Sequence, residues 1–432
     1  MKASLFSVFV VAFALTFCGC DSETTDNSST PSNPSSNESK SVIDTDTTWT
    51  ADEEHFLTEL TFVTNNATLT IEAGTVVQGD NGSALIVTKG AQLVTNGTAE
   101  APVVFTSSLP EGERRAGDWG GVVLLGNAPT NIGEGNIEGL EADDTRGQFG
   151  GDDETHKCGS LTYTRIEFAG FELSTDNELN GLTLGGCGSQ TTLDYIQVHQ
   201  GKDDGIEFFG GSAQASHLVL TSIQDDSVDW DQGFNGQIQF LVVQQNPSDA
   251  DNSFEADNNK DDNDLMPRSA PTIANATLVG TGKDSQGAQN GMVLRRGTHA
   301  TLSNFIVMGF PNNGIDVRDE STTQGVSLTN SLFFDNTHHF DADDDDKGDD
   351  DAGFNEAEIF GAAETGNVLD QDPLLGAPYD LNAPNFVPQA GSPVADAPAP
   401  EGEGFDASAT YMGAFASEGD DWTAGWTAYP EN

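Results

Sequence analysis

Basic residues are scarce in this chain. Lys and Arg number 16 against 70 Asp and Glu, a net charge of −54 over 432 residues. Such a surface repels polyanions, which excludes nucleic acid and anionic lipid as partners of the surface at large. It favours solubility at high ionic strength, where the self-repulsion is screened. Adaptation to a salty habitat is one source of the acid, and a specific need for carboxylates at particular sites is the other. Cysteine is sparse too, with four residues, two of them near the amino terminus. No Cys-x-x-Cys pair, nucleotide loop, zinc motif or Ser-His-Asp spacing is present. No stretch of useful length repeats its apolar residues with a helical period, which argues against a helical architecture.

The amino terminus is what the sequence does supply. Lys2 precedes an almost wholly apolar run, Ala3 to Phe17. The run is short for a membrane span and reads as a secretory signal. It ends in Phe17-Cys18-Gly19-Cys20, which resembles the bacterial lipobox. The resemblance implies cleavage after Gly19, acyl chains on Cys20 and a lipid anchor in the cell envelope, at the outer membrane. Phe17 stands where Leu is usual, and a plain signal peptide with incidental cysteines is the alternative. Residues 20–48 are rich in Ser, Thr, Asn, Asp and Pro and read as a disordered tether.

A loosely repeated unit follows: a short apolar strand, a turn with Gly and Asn or Asp, and another strand. The second strands begin at Tyr163, Tyr195, His217, Ile238, Ala276, Asn304 and Ser331, spaced by 32, 22, 21, 38, 28 and 27 residues. That spacing predicts an all-β fold, a right-handed parallel β-helix over 49–372, with loops of varying length inserted at its corners. Residues 109–117, 127–160, 246–270 and 337–372 read as such excursions. The Pro- and Ala-rich segment 373–432 reads as a C-terminal cap, with Trp422 and Trp426 packing on the final rung. A carbohydrate platform is the alternative for these two Trp. Cys158 and Cys187 lie 29 residues apart, near one turn of the repeat, and predict a disulfide between neighbouring rungs.

Several phrases together resemble a family of exported bacterial β-helix lipoproteins, found among Bacteroidetes and other marine or gut bacteria. They are Ile71-Glu-Ala-Gly-Thr75, Asp118-Trp-Gly-Gly121, Asn180-Gly-Leu-Thr-Leu-Gly-Gly186, Asp203-Asp-Gly-Ile-Glu-Phe-Phe-Gly-Gly211, Asp225-Asp-Ser-Val-Asp-Trp-Asp-Gln-Gly233 and the Trp422/Trp426 ending. The resemblance covers nearly the whole mature chain. It implies a right-handed β-helix and an envelope location, and no established activity.

The sharpest chemistry lies between residues 202 and 231. Asp203 and Asp225, Asp204 and Asp226, and Glu207 and Asp229 are each 22 residues apart, one rung of the repeat. Positions one rung apart lie about 4.8 Å from each other. Three carboxylate pairs are therefore expected face to face, with Asp231 beside them. Like charges so close need neutralising. Bound Ca²⁺ would do it on Asp203, Asp204, Glu207, Asp225, Asp226, Asp229 and Asp231. Hydrogen bonds from turn N–H groups, proton sharing, or Lys202 or a nearby Arg are the other answers. A catalytic version exists: β-helices often host Ca²⁺-dependent polysaccharide lyases, and Lys202, Arg295 or Arg296 would then be the base. The scarcity of basic residues stands against a groove for polyanionic chains. A binding or structural role, with Ca²⁺ stabilising the acidic rungs and a polysaccharide or envelope protein as partner, is the first expectation. The polysaccharide-active enzyme is the second.

Other clusters are weaker. An EF-hand frame starting at Asp343 has Gly348 sixth but Lys347 fifth and Phe354 twelfth, where a bidentate Glu is needed. Arg295 and Arg296 are expected to pair with Asp316 and Asp319 on the next rung. His338 and His339 beside Asp341 read as exposed polar residues rather than a metal site.

Overall fold

A computed structural model of the chain describes residues 41–140, 144–174, 177–287, 289–341, 351–417 and 419–432. The leader, Cys20 and most of the tether lie outside the described residues, as does most of the EF-hand-like Asp run.

Strands of three to nine residues with alternating burial cannot bury both faces alone, so they stack rung on rung. Eleven parallel strands form one sheet, from Ser41–Ile43 to His338–Phe340. Sixteen form a second. Strands alternate between the two sheets along the chain, an all-β parallel solenoid consistent with the expected right-handed β-helix. The solenoid starts earlier than expected. Ser41–Ile43 pairs with Leu60–Val63, and Thr47–Trp49 with Thr68–Glu72, so residues 41–48 are rung rather than tether. Their Ser, Thr and Asp content hid this; of these two strands, Ile43 and Trp49 pack on the core.

The second sheet is bent. In the middle rungs, two half-strands fuse into single strands such as Thr192–His199 and Gln214–Thr221. Each bends at one residue of positive φ: Tyr163 (44°), Tyr195 (60°), His217 (52°), Phe240 (63°) and Asn275 (55°); Asn304 (62°) makes the same bend between the separate strands Ala300–Ser303 and Ile306–Met308. The sequence starts Ile238 and Ala276 therefore miss the corner by two residues and one. A half-strand buried throughout has no alternation to mark where it turns. The left-handed conformation costs a non-glycine residue roughly 1 kcal/mol. Identical bends aim their side chains the same way, and the rings stack: Tyr163 on Tyr195 at 4.2 Å, Tyr195 on His217 at 4.2 Å, His217 on Phe240 at 4.8 Å. Each such pair returns about 0.5–1.5 kcal/mol, enough to offset the strain.

Cys158 and Cys187 are bonded, with Cα atoms 5.7 Å apart. The link joins the entry to strand Gly159–Glu167 with the exit from Leu182–Gly185, the staple expected from the spacing. A loop of this length stabilises by roughly 3–4 kcal/mol on the chain-entropy account.

The C-terminal segment does not place its tryptophans on the final rung. It runs back along the outside of the second sheet. Gln244 donates to the Pro378 and Asp380 carbonyls, Gln239 to Asp406 O, Gln197 to Ala428 O and Arg165 to Trp426 O. Trp426, fully buried, meets Tyr163 and Tyr195 edge-on at 5.7 and 5.9 Å; Trp422 meets His217 at 5.0 Å. With Trp426 buried and Trp422 stacked on Phe415, the two offer no open platform for a sugar. The last rung is instead covered from the excursion 337–372. Helix Glu356–Phe360, capped by Asn355, sets Phe360 against Phe340 and Phe354.

Candidate metal-binding cleft

Three strands of the first sheet share one pattern: Gly205-Ile-Glu-Phe208, Ser227-Val-Asp-Trp230 and Ser253-Phe-Glu-Ala256. Alternation sends Ile206, Phe208, Val228, Trp230, Phe254 and Ala256 into the core. It turns Glu207, Asp229 and Glu255 outward, in register on neighbouring strands. Thr183 continues the row on the preceding rung.

The turns entering these strands form a second ladder. The N–H of Asp226 donates to Asp204 Oδ1 at 3.2 Å, and that of Asn252 to Asp226 Oδ1 at 2.7 Å. Asn290 Nδ2 donates to Asn252 Oδ1, and the N–H of Asn313 to Asn290 Oδ1. Asp204 and Asp226 thus do what Asn290 does further along, each taking a backbone donor of the next rung, while Asn252 takes the side-chain amide of Asn290.

The two ladders converge. Asp204, Glu207 and Asp229 each offer an oxygen within 4.8 Å of the others. So do Asp203, Asp204 and Asp225, and likewise Asp225, Asp226 and Asp251. Six of the seven acids expected from the sequence therefore meet in such groups. Asp231 joins none; its Oδ1 accepts the N–H of Gln232 at 2.5 Å, while the residue lines the same cleft. Burial, then the charge of neighbouring carboxylates, pushes Asp204, Asp226 and Asp229 well above the usual carboxylate range. Burial does the same to Glu207, opposed by the hydrogen bond from Asn180. Burial raises Asp231 to about 6. Asp229 Oδ1 is buried and accepts no hydrogen bond.

The cleft has a volume of 480 Å³. Excursion 127–160 walls one side with Ile132, Ile137 and Glu138; Asp257, Lys260 and Arg296 wall the other. Asn131 joins the walls, donating to Asn258 O at 2.9 Å and accepting from Asn259 Nδ2 at 3.2 Å.

The basic residues sit differently from expectation. Lys202 is no part of the cleft wall. Its stem packs over Gly117 and its ammonium reaches Glu172 at 3.4 Å, so it does not neutralise the acids. Arg295 pairs with Glu255 and Asp257, on the preceding rung rather than the next. Arg296 also pairs with Asp257, at 2.5 Å; only its backbone N–H reaches Asp319. Asp316 pairs with Arg318. Both arginines follow a strand whose outward neighbours are Glu255 and Asp257, and these acids are nearer than those on the next rung. His339 contacts Asp370 at 3.0 Å and Asn336, and His338 is exposed.

Glu255, Asp257 and Asp251 escaped the spacing argument. The loop before Ser253 is longer than the one before Ser227, which breaks the 22-residue period. The signal available was the small–apolar–acid–apolar pattern itself.

The donor set tests which ion would fit. It is all oxygen, with no Cys or His in any group, several carboxylates converge, and one oxygen is unpartnered. That suits a hard cation such as Ca²⁺ and not a soft metal. Asp204, Glu207 and Asp229 would hold it.

A family model described as a pectate-lyase-like β-helix domain matches residues 41–374. Neither a curated protein nor a solved structure matches the chain.

Proposed function

Taking as premise that the chain belongs to the pectate-lyase-like β-helix domain family, we propose that it is a Ca²⁺-dependent binding protein of a bacterial envelope, held there through Cys20. The observation that carries the reading is the trio Asp204, Glu207 and Asp229, with Asp229 Oδ1 buried and unpartnered. Three converging carboxylates, Asp204 buried and Glu207 and Asp229 half-buried, repel one another, and a divalent cation relieves that repulsion. The bound cation then adds to the little positive charge that Lys260 and Arg296 bring to the cleft, so an acidic glycan or an acidic envelope protein is recruited only when Ca²⁺ is present. The acids of the hydrogen-bonded ladder keep the rungs aligned beneath it.

A lyase is the second reading, favoured by one observation: Arg296 lines the cleft beside the acids. Against it, Arg295 and Arg296 are engaged by Glu255 and Asp257, and Lys202 by Glu172, so each candidate base is already committed to a carboxylate.

Thermal unfolding with EDTA, Ca²⁺ or Mg²⁺ at constant high ionic strength tests the reading. Saturation a hundredfold above Kd adds about 2.7 kcal/mol, a rise of several degrees. The expected result is that rise with Ca²⁺ and a much smaller one with Mg²⁺. No shift with either ion would leave the acids as ladder and salt adaptation. Release of unsaturated products from polyuronates would favour the lyase.

A further inference from the structure

We propose that the outer face of the second sheet is a separate binding surface for an uncharged polysaccharide lying along the solenoid axis. Ser160, Thr192, Gln214, Gln237, Thr272 and Thr301 stand in register on six successive rungs. The residue after each is buried, so the row points outward. All six carry a hydroxyl or an amide. None is charged, in a chain where a fifth of the residues are charged, 70 of them acids against 16 bases. The groups recur about every 4.8 Å, one per rung. A chain of sugar rings, with hydroxyls repeating on a similar scale, can hydrogen-bond rung after rung.

Two further features single out the middle of the row. A cleft of 340 Å³ opens between it and the returning C-terminal segment, lined by Thr192, Gln214 and Gln237 on one side and Phe405 on the other. Within it, Gln237 Oε1 is buried without a hydrogen bond. A native fold rarely leaves an acceptor so; the side chain as a whole is half-buried, and a turn of its amide into the cleft would bring that oxygen to a ligand hydroxyl. Half-buried Phe405 offers an apolar wall to the C–H face of a sugar ring. The one carboxylate in the lining, Asp194, is paired with His217 at 2.8 Å. No Lys or Arg lines the cleft to attract an anion, and the acidic surface around it repels polyanions. An uncharged ligand is the one that this face selects, and it needs no cation.

Co-sedimentation of the full chain with microcrystalline cellulose, chitin or curdlan, each with EDTA and with Ca²⁺, tests the inference. The expected result is retention on at least one of them, equal in both conditions. Gln237→Leu removes the orphan acceptor and Thr192→Lys places a charge at an exposed position of the row. Each is expected to weaken retention by about tenfold, with circular dichroism and the Ca²⁺-induced shift unchanged. Retention on none of the three, retention abolished by EDTA, or retention unchanged in both variants overturns the proposal. The Ca²⁺ cleft is judged separately, by the melting shift.

Discussion

Glu207 and Asp229 are register partners on neighbouring strands, and the free oxygen of that pair, Asp229 Oδ1, is buried without a hydrogen bond. Two outward acids side by side are a defect in a sheet unless something lies between them. On the proposed reading, a cation at this pair would link stability to Ca²⁺.

Asp229→Asn keeps the shape and removes one of three converging charges. In EDTA the variant is expected to be more stable than the parent, by about 1–3 kcal/mol, because one of the crowded like charges is gone. Its melting response to Ca²⁺ should largely vanish. Denaturant titration with and without Ca²⁺ checks both halves. A variant less stable in EDTA that still responds to Ca²⁺ would remove Asp229 from the site.

Asp226 has a different task. Its Oδ1 accepts the N–H of Asn252, so Asp226→Ala leaves a buried donor unpaired. The expected loss is about 1–3 kcal/mol. Asp226→Asn retains an amide oxygen at that place, as Asn290 does further along the ladder, and should stay close to the parent. Equal losses in the two variants would mean that the ladder bond contributes nothing.

Glu356 gives the end cap a pH dependence. It is buried, its Oε1 accepts the N–H of Val317 at 3.3 Å, and burial raises it to about 8. The folded state thus keeps a proton that the unfolded chain releases above the ordinary Glu range near 4.5. The resulting stability is full below that range and is lost as pH rises through about 8. The parent should lose a few degrees more of melting temperature between pH 5 and pH 9 than Glu356→Gln does. Identical slopes in the two proteins would contradict this.

His199 has the opposite sign. Its Nε2 donates to Pro430 O at 2.9 Å while Nδ1 meets the Thr221 hydroxyl, and burial lowers it to about 4. The folded state resists protonation, so its contribution is present above about 6.5 and fades as pH falls through about 4. Limited proteolysis should cut the last residues faster at pH 4 than at pH 7, and His199→Ala should be cut fast at both. A tail equally protected in all four conditions would show that this bond does not hold it.

The readable parts of this protein were those that obey the rung period. Asp203 to Asp225, Asp204 to Asp226 and Glu207 to Asp229 fall one uninterrupted turn apart, so plain counting places them together. Cys158 and Cys187 are separated by about one turn, and they are bonded. Glu255 is one rung further on, but a longer loop shifts its number, and counting failed where the repeated pattern would have succeeded. Lys202 shows the converse. It adjoins Asp203 in sequence, yet its side chain leaves the cleft for Glu172.

Sequence alone determined the coil, its staple and the convergence of carboxylates, because alternation and loop length act between neighbours on the chain and on the next rung. Tertiary structure alone decided the rest. The walls of the cleft come from excursions joined by Asn131 and Asn258, 127 residues apart. The returning tail reaches His199 across 231 residues. No local period encodes such contacts. They follow from which surfaces of the finished solenoid remain apolar or unpaired, and those surfaces exist only once the rungs have stacked.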